Sequence, residues 1–515
     1  MLTGSTHVGN KVIIFFKNLN EKQTLLFLIG ITFVLRLYAV LMAQGIAYDG
    51  AHYGFVARDF FRGDFMKGLS SPAPPLYPFL ISLLSPDPAH VEITGRFLSL
   101  FWGTFTMIPL FYLIKETVGR REAVFSTIFY SFHPYLVTYS GMLLTEATYW
   151  GLVVLSAYFF WTGLKRENVW RILLSGVFLG LSYLTRPEGI GYIVVYLAWI
   201  VVEGILKRKW LKALLSSGVL MLGIFILGLP YFLYIHQETG QWLISKKAVD
   251  AQSQLFKESP GNLEPSTGIR EADSEKKDFK IVWVTRNIIH YLPSVIYHYL
   301  RAYHFSLWLF LFFGLIRIRQ KVNTFELFLA SLVVFHLISL SSFLPSTIRF
   351  SVPVIPLSLF WAGTGIFEMK RYFEKAKNIN SEKMAFWIAL FVILIQLPLS
   401  LTPERRHRAE QKEVGLWLKQ NTSPDAIIMS NSPQEAFYAE REFIMLPQGN
   451  STKGTAGESY EEIIQFAKSK GVRYILVNKN TPESNPGFIE SVKSKNLKEV
   501  FRGTDKALII YEVIY

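Results

Sequence analysis

Two carboxylates, a histidine, two tyrosines and two arginines stand close together in Tyr48-Asp49-Gly50-Ala51-His52-Tyr53 and its continuation through Arg58, Asp59 and Arg62 to Gly63. These residue types can move a proton beside an anion. A carboxylate at an apolar boundary can have its pKa raised until it serves as a general base, and a planar guanidinium grips phosphate or carboxylate through paired hydrogen bonds. Further along, Arg96, Arg186 in Leu184-Thr185-Arg186-Pro187-Glu188-Gly189, and Arg349 in Ser346-Thr347-Ile348-Arg349-Phe350 offer the same fork. Glu146, in Leu143-Leu144-Thr145-Glu146, is expected a turn or more inside an apolar segment, where a lone carboxylate is costly and must be either paired or at work. His133 before Pro134 and His336 read as satisfied interior histidines. His236, Glu238, His290, His298 and His304 include donor types of a divalent-cation site, but no spacing among them is diagnostic, and the cofactor stays open.

The frame that must hold these residues is apolar. Of 515 residues, 51% are hydrophobic and 15% aromatic, and the mean hydropathy is +0.28, which excludes an ordinary soluble protein of this size. Runs long enough to cross a bilayer lie at 25–43, 94–114, 122–138, 141–162, 171–187, 190–206, 213–235, 302–316, 325–343, 350–368 and 384–402. The chain therefore reads as a polytopic α-helical membrane protein of about eleven spans, with a small α/β domain at 403–515. Its net charge of +14 invites a nucleic-acid reading, yet the lysines and arginines fall in alternate connections: Lys115 to Arg121, Lys165 to Arg171, Lys207 to Lys212, Arg317 to Lys321, and Lys370 to Lys383. That is the sorting expected of cytoplasmic loops, and it removes the case for nucleic acid. The N-terminus, with Lys11, Lys17 and Lys22 ahead of the first run and no cleavage site, is expected in the cytoplasm and the C-terminal domain outside. With no cysteine, disulfides and thiolate metal sites are excluded.

The polar constellations then collect on the outer side, in loops 44–93 and 236–301 and in short turns. Tyr53, Val56, Ala57, Phe60 and Phe61 recur at helical spacing, so the Asp49 segment is expected as an amphipathic helix in the interface, with Asp49 at its entrance. Beyond it Pro72, Pro74, Pro75 and Pro78 predict an extended backbone, and 245–280, rich in acids, Ser, Gly and Pro, reads as a mobile loop or lid. Arg96, Arg186 and Arg349 oppose the charge sorting, so each needs a partner: a phosphate or carboxylate ligand, a neighbouring acid, or lipid headgroups. In the tail, strands are expected at Ala426–Met429, Arg473–Val477 and Leu508–Val513, and helices near 408–420, 458–470 and 486–495. No GxGxxG, phosphate-binding loop or HExxH occurs there.

Asp49 after the first run, Tyr53, Ala57 and Gly63, followed by Pro74-Pro75-Leu76-Tyr77-Pro78, resemble the first outer loop of the GT-C superfamily, in particular its protein O-mannosyltransferase and aminoarabinose transferase-like branch. Leu144-Thr145-Glu146-Ala147 resembles the acid of the second outer motif, Thr185-Arg186-Pro187-Glu188-Gly189 the short Arg-Pro turn, and Ile348-Arg349-Phe350-Ser351-Val352-Pro353 the Arg-aromatic-Pro signature. Two departures stand out: many relatives carry Asp-Glu where this chain has Asp49-Gly50, and aminoarabinose transferases have Lys-Pro-Pro where it has Ala73-Pro74-Pro75. The resemblance implies a glycosyltransferase of a cell envelope, multi-pass in a bacterial inner membrane, that moves a hexose or pentose from a polyprenyl-phosphate donor to a hydroxyl of a lipid, glycan or protein. Asp49 is then the expected base and Glu146 a second catalytic acid that orients or holds a metal. Arg349 first and Arg186 second would stabilise the leaving phosphate, and His52, Tyr53, Arg58 and Arg96 complete the expected substrate-binding set. A saccharide flippase without chemistry is the competing class, and a non-catalytic assembly subunit a third. A flippase wants polar residues in mid-span, whereas these cluster at span ends.

Overall fold

The computed structural model describes residues 20–246, 271–320, 323–343, 347–377, 381–402, 407–447, 460–478, 496–505 and 508–514. Each of the eleven hydrophobic runs contains helix, several with a break or a non-helical start. Seven helices among the described residues are long and apolar enough to cross a membrane; Val284–Tyr303 and Phe305–Arg317, bent by 80° about His304, add an eighth if taken as one span. The other runs are shorter or interrupted: Val169–Thr185, Trp387–Leu401, and Arg120–Phe132 continued by Pro134–Ser140.

Local chemistry explains where these helices start and break. Glu21–Met42 opens on a reciprocal cap, in which the Asn20 side chain accepts from the Gln23 N–H and the Gln23 side chain accepts from the Asn20 N–H. Two free donors of the first turn are thereby satisfied. At His133, Pro134 lacks the N–H that would bond to the Tyr130 carbonyl. Arg36, buried in the first span, supplies the missing donors: its guanidinium donates to Tyr130 O at 3.3 Å and Ser131 O at 3.4 Å, and lies 4.7 Å from the Tyr130 ring centroid. In an apolar surround an unsatisfied carbonyl costs several kcal/mol, so the break and the arginine belong together.

The structure departs from the sequence reading in three segments. Residues 271–303 form one helix rather than outer loop, because the polar start Glu271 to Lys280 hides its helical continuation from a hydropathy reading; residues 247–270 of the expected lid lie outside the described residues. The proline-rich stretch is a series of bends from Ser71 rather than an extended run, and Pro75 already has helical φ −80° and ψ −24°. Leu76–Leu84 is helical, with Pro78 in its first turn, where no intrahelical N–H is needed. Glu146 opens the helix Glu146–Lys165 instead of lying inside one: Gly141 packs on the first span so closely that a Cβ there would stand 2.7 Å from Ala39, and 141–145 forms a turn.

The Asp49 helix, Tyr48–Phe61, buries Tyr53, Val56, Ala57 and Phe60 as its spacing requires, and buries Arg58 as well. Gly50 and Gly54, one turn apart, let two neighbours touch its backbone. A Cβ at Gly50 would stand 2.7 Å from the Leu143 carbonyl oxygen, and one at Gly54 would overlap the Phe437 ring.

Phe437 belongs to the C-terminal domain, a five-stranded sheet of order β2-β1-β3-β5-β4, with β1 Ile427–Ser430, β2 Glu442–Met445, β3 Val472–Asn478, β4 Leu497–Arg502 and β5 Leu508–Val513. β2, β1 and β3 run parallel; β5 is antiparallel to β3 and to β4. The two faces follow the period of two: Ile475 and Val477 pack with Tyr460, Ile463 and Ala467, while Tyr474 and Leu476 pack with Val414, Leu418, Ala436 and Ala439. The expected strands and the helices at 407–421 and 460–469 are present, β2 and β4 are additional, and 486–495 lies outside the described residues.

The domain grips the Asp49 helix through the short helix Gln434–Ala439. Arg58 Nη1 donates to the Phe437 carbonyl at 2.9 Å, its guanidinium lies 4.0 Å from the Phe437 ring centroid, and its Nε donates to Pro88 O at 3.1 Å. Tyr438 Oη donates to Glu92 at 3.1 Å. Burial of the phenyl ring contributes about 2 kcal/mol and a desolvated cation–π contact about as much, well above the ~0–1 kcal/mol of a surface pair such as Lys412–Glu92.

Candidate active site

Four turns at one end of the bundle bring the leading sequence candidates together. Glu146 enters from the first residue of its helix, where the partial positive charge of a helix N-terminus favours a carboxylate. Arg186 is the residue before Pro187; proline excludes that residue from a helical conformation, and Arg186 is extended at φ −151° and ψ 132°, ending Val169–Thr185. Arg349 lies in the single turn Ile348–Ser351 that precedes the span Ile355–Lys377. Asp49 enters from the first turn of Tyr48–Phe61.

These side chains form one chain of ion pairs. Arg349 Nη1 donates to Asp49 Oδ2 at 2.6 Å, and its Nε donates to Glu146 Oε1. Arg186 Nη1 donates to the same Glu146 Oε1 at 3.0 Å, and its Nη2 to Glu188 Oε1 at 3.2 Å. Glu146 is fully buried, whereas the Asp49 side chain is 41% exposed, so the chain runs from a sealed carboxylate to an open one. Glu146 Oε2 is buried with no hydrogen-bond partner among the described residues. The Arg186 guanidinium lies 5.6 Å from the Tyr149 ring centroid and 5.4 Å from that of Phe350, which fix its plane. Tyr53 is buried beside the cluster, and its phenol is pushed up to about 12 by that burial first and then by the Asp49 and Glu146 carboxylates.

Chemically the arrangement is an anion site with a carboxylate at its mouth. An anion reaching the open end competes with Asp49 for Arg349 Nη1, while Glu146 keeps hold of Nε. Separate anchoring of the two nitrogens aims the fork.

Other candidates lie elsewhere. Arg96 donates to the carbonyls of Ala43 at 2.8 Å and Gly45 at 3.2 Å and pairs with Glu92, so it holds the link between the first span and the Asp49 helix. Arg58 is the strut to the C-terminal domain. The His52 ring packs on Tyr48, with centroids 5.0 Å apart, on the Asp49 helix itself. His336 is satisfied by Tyr192 Oη at 3.0 Å and the Phe350 carbonyl at 3.0 Å, and His133 meets the Tyr303 carbonyl at 3.4 Å. Among the described residues no group of three or more His, Asp or Glu side chains could hold a metal ion. His236 stacks on Trp242 at 3.7 Å, Glu238 pairs with Lys246, and His304 meets Ser306, which disperses the loop set. Glu188, visible to the sequence only as a neighbour of Arg186, joins the chain of pairs; the Gly54–Phe437 contact, between residues at opposite ends of the chain, left no local signal.

Residues 72–234 match the sequence family described as dolichyl-phosphate-mannose-protein mannosyltransferase. A search against curated protein sequences returned no match. Among solved structures, ArnT from Cupriavidus metallidurans bound to undecaprenyl phosphate is similar at a TM-score of 0.62 and 12% identity, over 95% of this chain and 98% of that one. The oligosaccharyltransferase of Archaeoglobus fulgidus in its apo form is similar at 0.56 and 12%, over 95% and 74%. The archaeal oligosaccharyltransferase AglB from Archaeoglobus fulgidus, in complex with an inhibitory peptide and a dolichol-phosphate, is similar at 0.54 and 12%, over 94% and 74%. At these identities the structural matches speak for the fold. The chain therefore shares the fold of these membrane transferases, and over residues 72–234 its sequence is similar to the mannosyltransferase family.

Proposed function

We propose that the protein transfers a sugar from a polyprenyl-phosphate carrier to an acceptor hydroxyl at the outer membrane surface, with Asp49 as base and Arg349 as the group that receives the leaving phosphate. The observation that carries this reading is the shared guanidinium: Arg349 bridges the exposed Asp49 and the sealed Glu146. A phosphate that takes over Nη1 neutralises the arginine itself and withdraws from Asp49 the cation that stabilises its charged form, so donor binding makes the carboxylate a better base. The acceptor oxygen then attacks the anomeric carbon as its proton passes to Asp49. The bond from that carbon to the phosphate oxygen breaks, and its electron pair goes to the phosphate, where Arg349, backed by Arg186, meets the developing charge. Glu146 keeps both guanidiniums aimed.

Undecaprenyl phosphate in the ArnT structure and dolichol-phosphate in the AglB structure support a lipid-phosphate donor for this chain also. Arg58 and Arg96 stood in the expected substrate-binding set; their protein partners support a structural part for both. The test is release of polyprenyl phosphate from a panel of polyprenyl-phosphate sugars by the purified protein in bilayers. Release that needs an acceptor and fails in Asp49→Asn supports the reading. Movement of intact labelled donor across the bilayer without release would replace it with the transporter.

A further inference from the structure

At the opposite end of the bundle from Asp49, the turns 163–172 and 203–216 enclose a cavity of about 130 Å³. Its lining carries the ammonium groups of Lys207, Lys209 and Lys212 against the carboxylates of Glu167 and Glu203, a net positive charge. Lys209 and Lys212 both donate to Glu167, which holds that carboxyl down at about 2, and Lys207 pairs with Glu203. A second source of positive potential is the start of the helix Trp210–Thr239, whose first turn has no side-chain cap. Glu167, just past the end of Glu146–Lys165, and Arg208, which caps Tyr192–Lys207, hold left-handed φ values of 51° and 54°. Glycine would suit those positions better; a charged side chain stands at both.

The surround of the cavity is apolar. Trp170, Leu206, Trp210, Leu211 and Leu214 are all exposed around it. Tryptophans at this depth mark the level of lipid headgroups, and leucines beyond them face acyl chains. A soluble anion needs only the lysines; a cavity that joins lysines to an apolar collar suits one molecule that is anionic at its head and apolar behind.

We propose that this cavity binds the phosphate headgroup of an anionic phospholipid from the membrane leaflet on its side, the cytoplasmic one by charge sorting. Each ammonium has three donors, and Glu167 uses one of each, so a phosphate can join the pair without displacing it. The site is separate from the transfer reaction and does not rest on that reading.

Thermal unfolding of the purified full chain, with native mass spectrometry of retained lipid, is to be measured in detergent with phosphatidylglycerol, with phosphatidylcholine, and with inorganic phosphate. Phosphatidylglycerol is expected to raise the midpoint by several degrees and remain bound, and the other two to do neither. Glu167→Gln removes the competing carboxylate and should tighten phosphatidylglycerol binding several-fold. The triple variant Glu167→Gln, Lys209→Gln, Lys212→Gln, which removes the ion pairs together with the ammonium groups, should weaken it at least tenfold. Equal response to both lipids, an equal effect of inorganic phosphate, or weaker lipid binding in Glu167→Gln, as a cluster made only for salt bridging would show, overturns the proposal.

Discussion

Replacing Arg349 removes two contacts of different kinds. Its Nη1 contact with Asp49 lies at the open end of the site, and its Nε contact ties it to a carboxylate with no exposure to solvent. Arg349→Ala therefore leaves Glu146 with Arg186 as its remaining guanidinium partner, and withdraws the donor nearest the mouth. Loss of a preorganised donor to a developing charge costs about 3–4 kcal/mol in the transition state, a fall of about 10²–10³ in kcat/KM for the lipid donor. Arg349→Lys keeps the charge but has one nitrogen where the structure uses two, aimed at carboxylates on different helices. Recovery of about tenfold is expected, not full rescue. The assay is steady-state transfer by purified protein in bilayers, with donor and acceptor varied separately: the alanine variant should lose donor binding as well as turnover, with acceptor KM nearly unchanged. Wild-type kcat/KM for the donor in a folded Arg349→Ala protein refutes the shared-guanidinium argument.

Four further outcomes are expected. Asp49→Asn should lower transfer by about 10²–10⁴ while donor binding and thermal stability persist; a helix-entrance residue of capping value alone would tolerate asparagine, so wild-type turnover would pass the role of base to Glu146. Phe437→Ala should cost about 3–4 kcal/mol of domain docking, read as protease sensitivity near 403–406, and an unchanged digestion pattern would contradict the grip on the Asp49 helix. Glu435, buried in the docking helix with both oxygens unpartnered among the described residues, is raised to about 7 by burial. It is protonated in the folded domain where the unfolded chain is ionised, so stability should be full below about pH 4.5, fall by up to ~3 kcal/mol as pH rises to about 7, and then level off; Glu435→Gln should flatten the curve. Reporter fusions at Lys209 should read as cytoplasmic and at Thr504 as outside, and a cytoplasmic Thr504 would put the proposed chemistry on the wrong face.

The sequence was most legible where membrane physics leaves little freedom. The length of the apolar runs disclosed the seven long apolar helices of the described residues but not the helix 271–303, and Arg186 and Arg349 drew notice because they defied the sorting of Lys and Arg. Arg96 defied it too, and Arg58 stood in the expected substrate-binding set, yet both spend their donors on carbonyls and acids brought near by the fold. Residue type alone does not separate an arginine that holds a ligand from one that holds a loop. β2 and β4 were hidden because they lie at the edges of the sheet, where Glu442, Lys498 and Glu499 break the apolar pattern of a strand. Glu146 was misplaced by a turn because Met142, Leu143 and Leu144 extend the hydrophobic run beyond the helix, and hydropathy does not distinguish a buried turn from a span.

The missing Cβ at Gly50 limits what can be made of this protein. The space that an acidic side chain would need is filled by the Leu143 carbonyl, in the turn that delivers Glu146. Grafting the Asp-Glu pair of the proteins that the Asp49 segment resembles onto this chain by one substitution would push that turn, and Glu146 with it. The same reasoning ties Gly54 to Phe437: a chimera that takes its outer domain from a relative inherits a different docking ring against an unaltered helix, so domain exchange has to carry both partners of that contact across together.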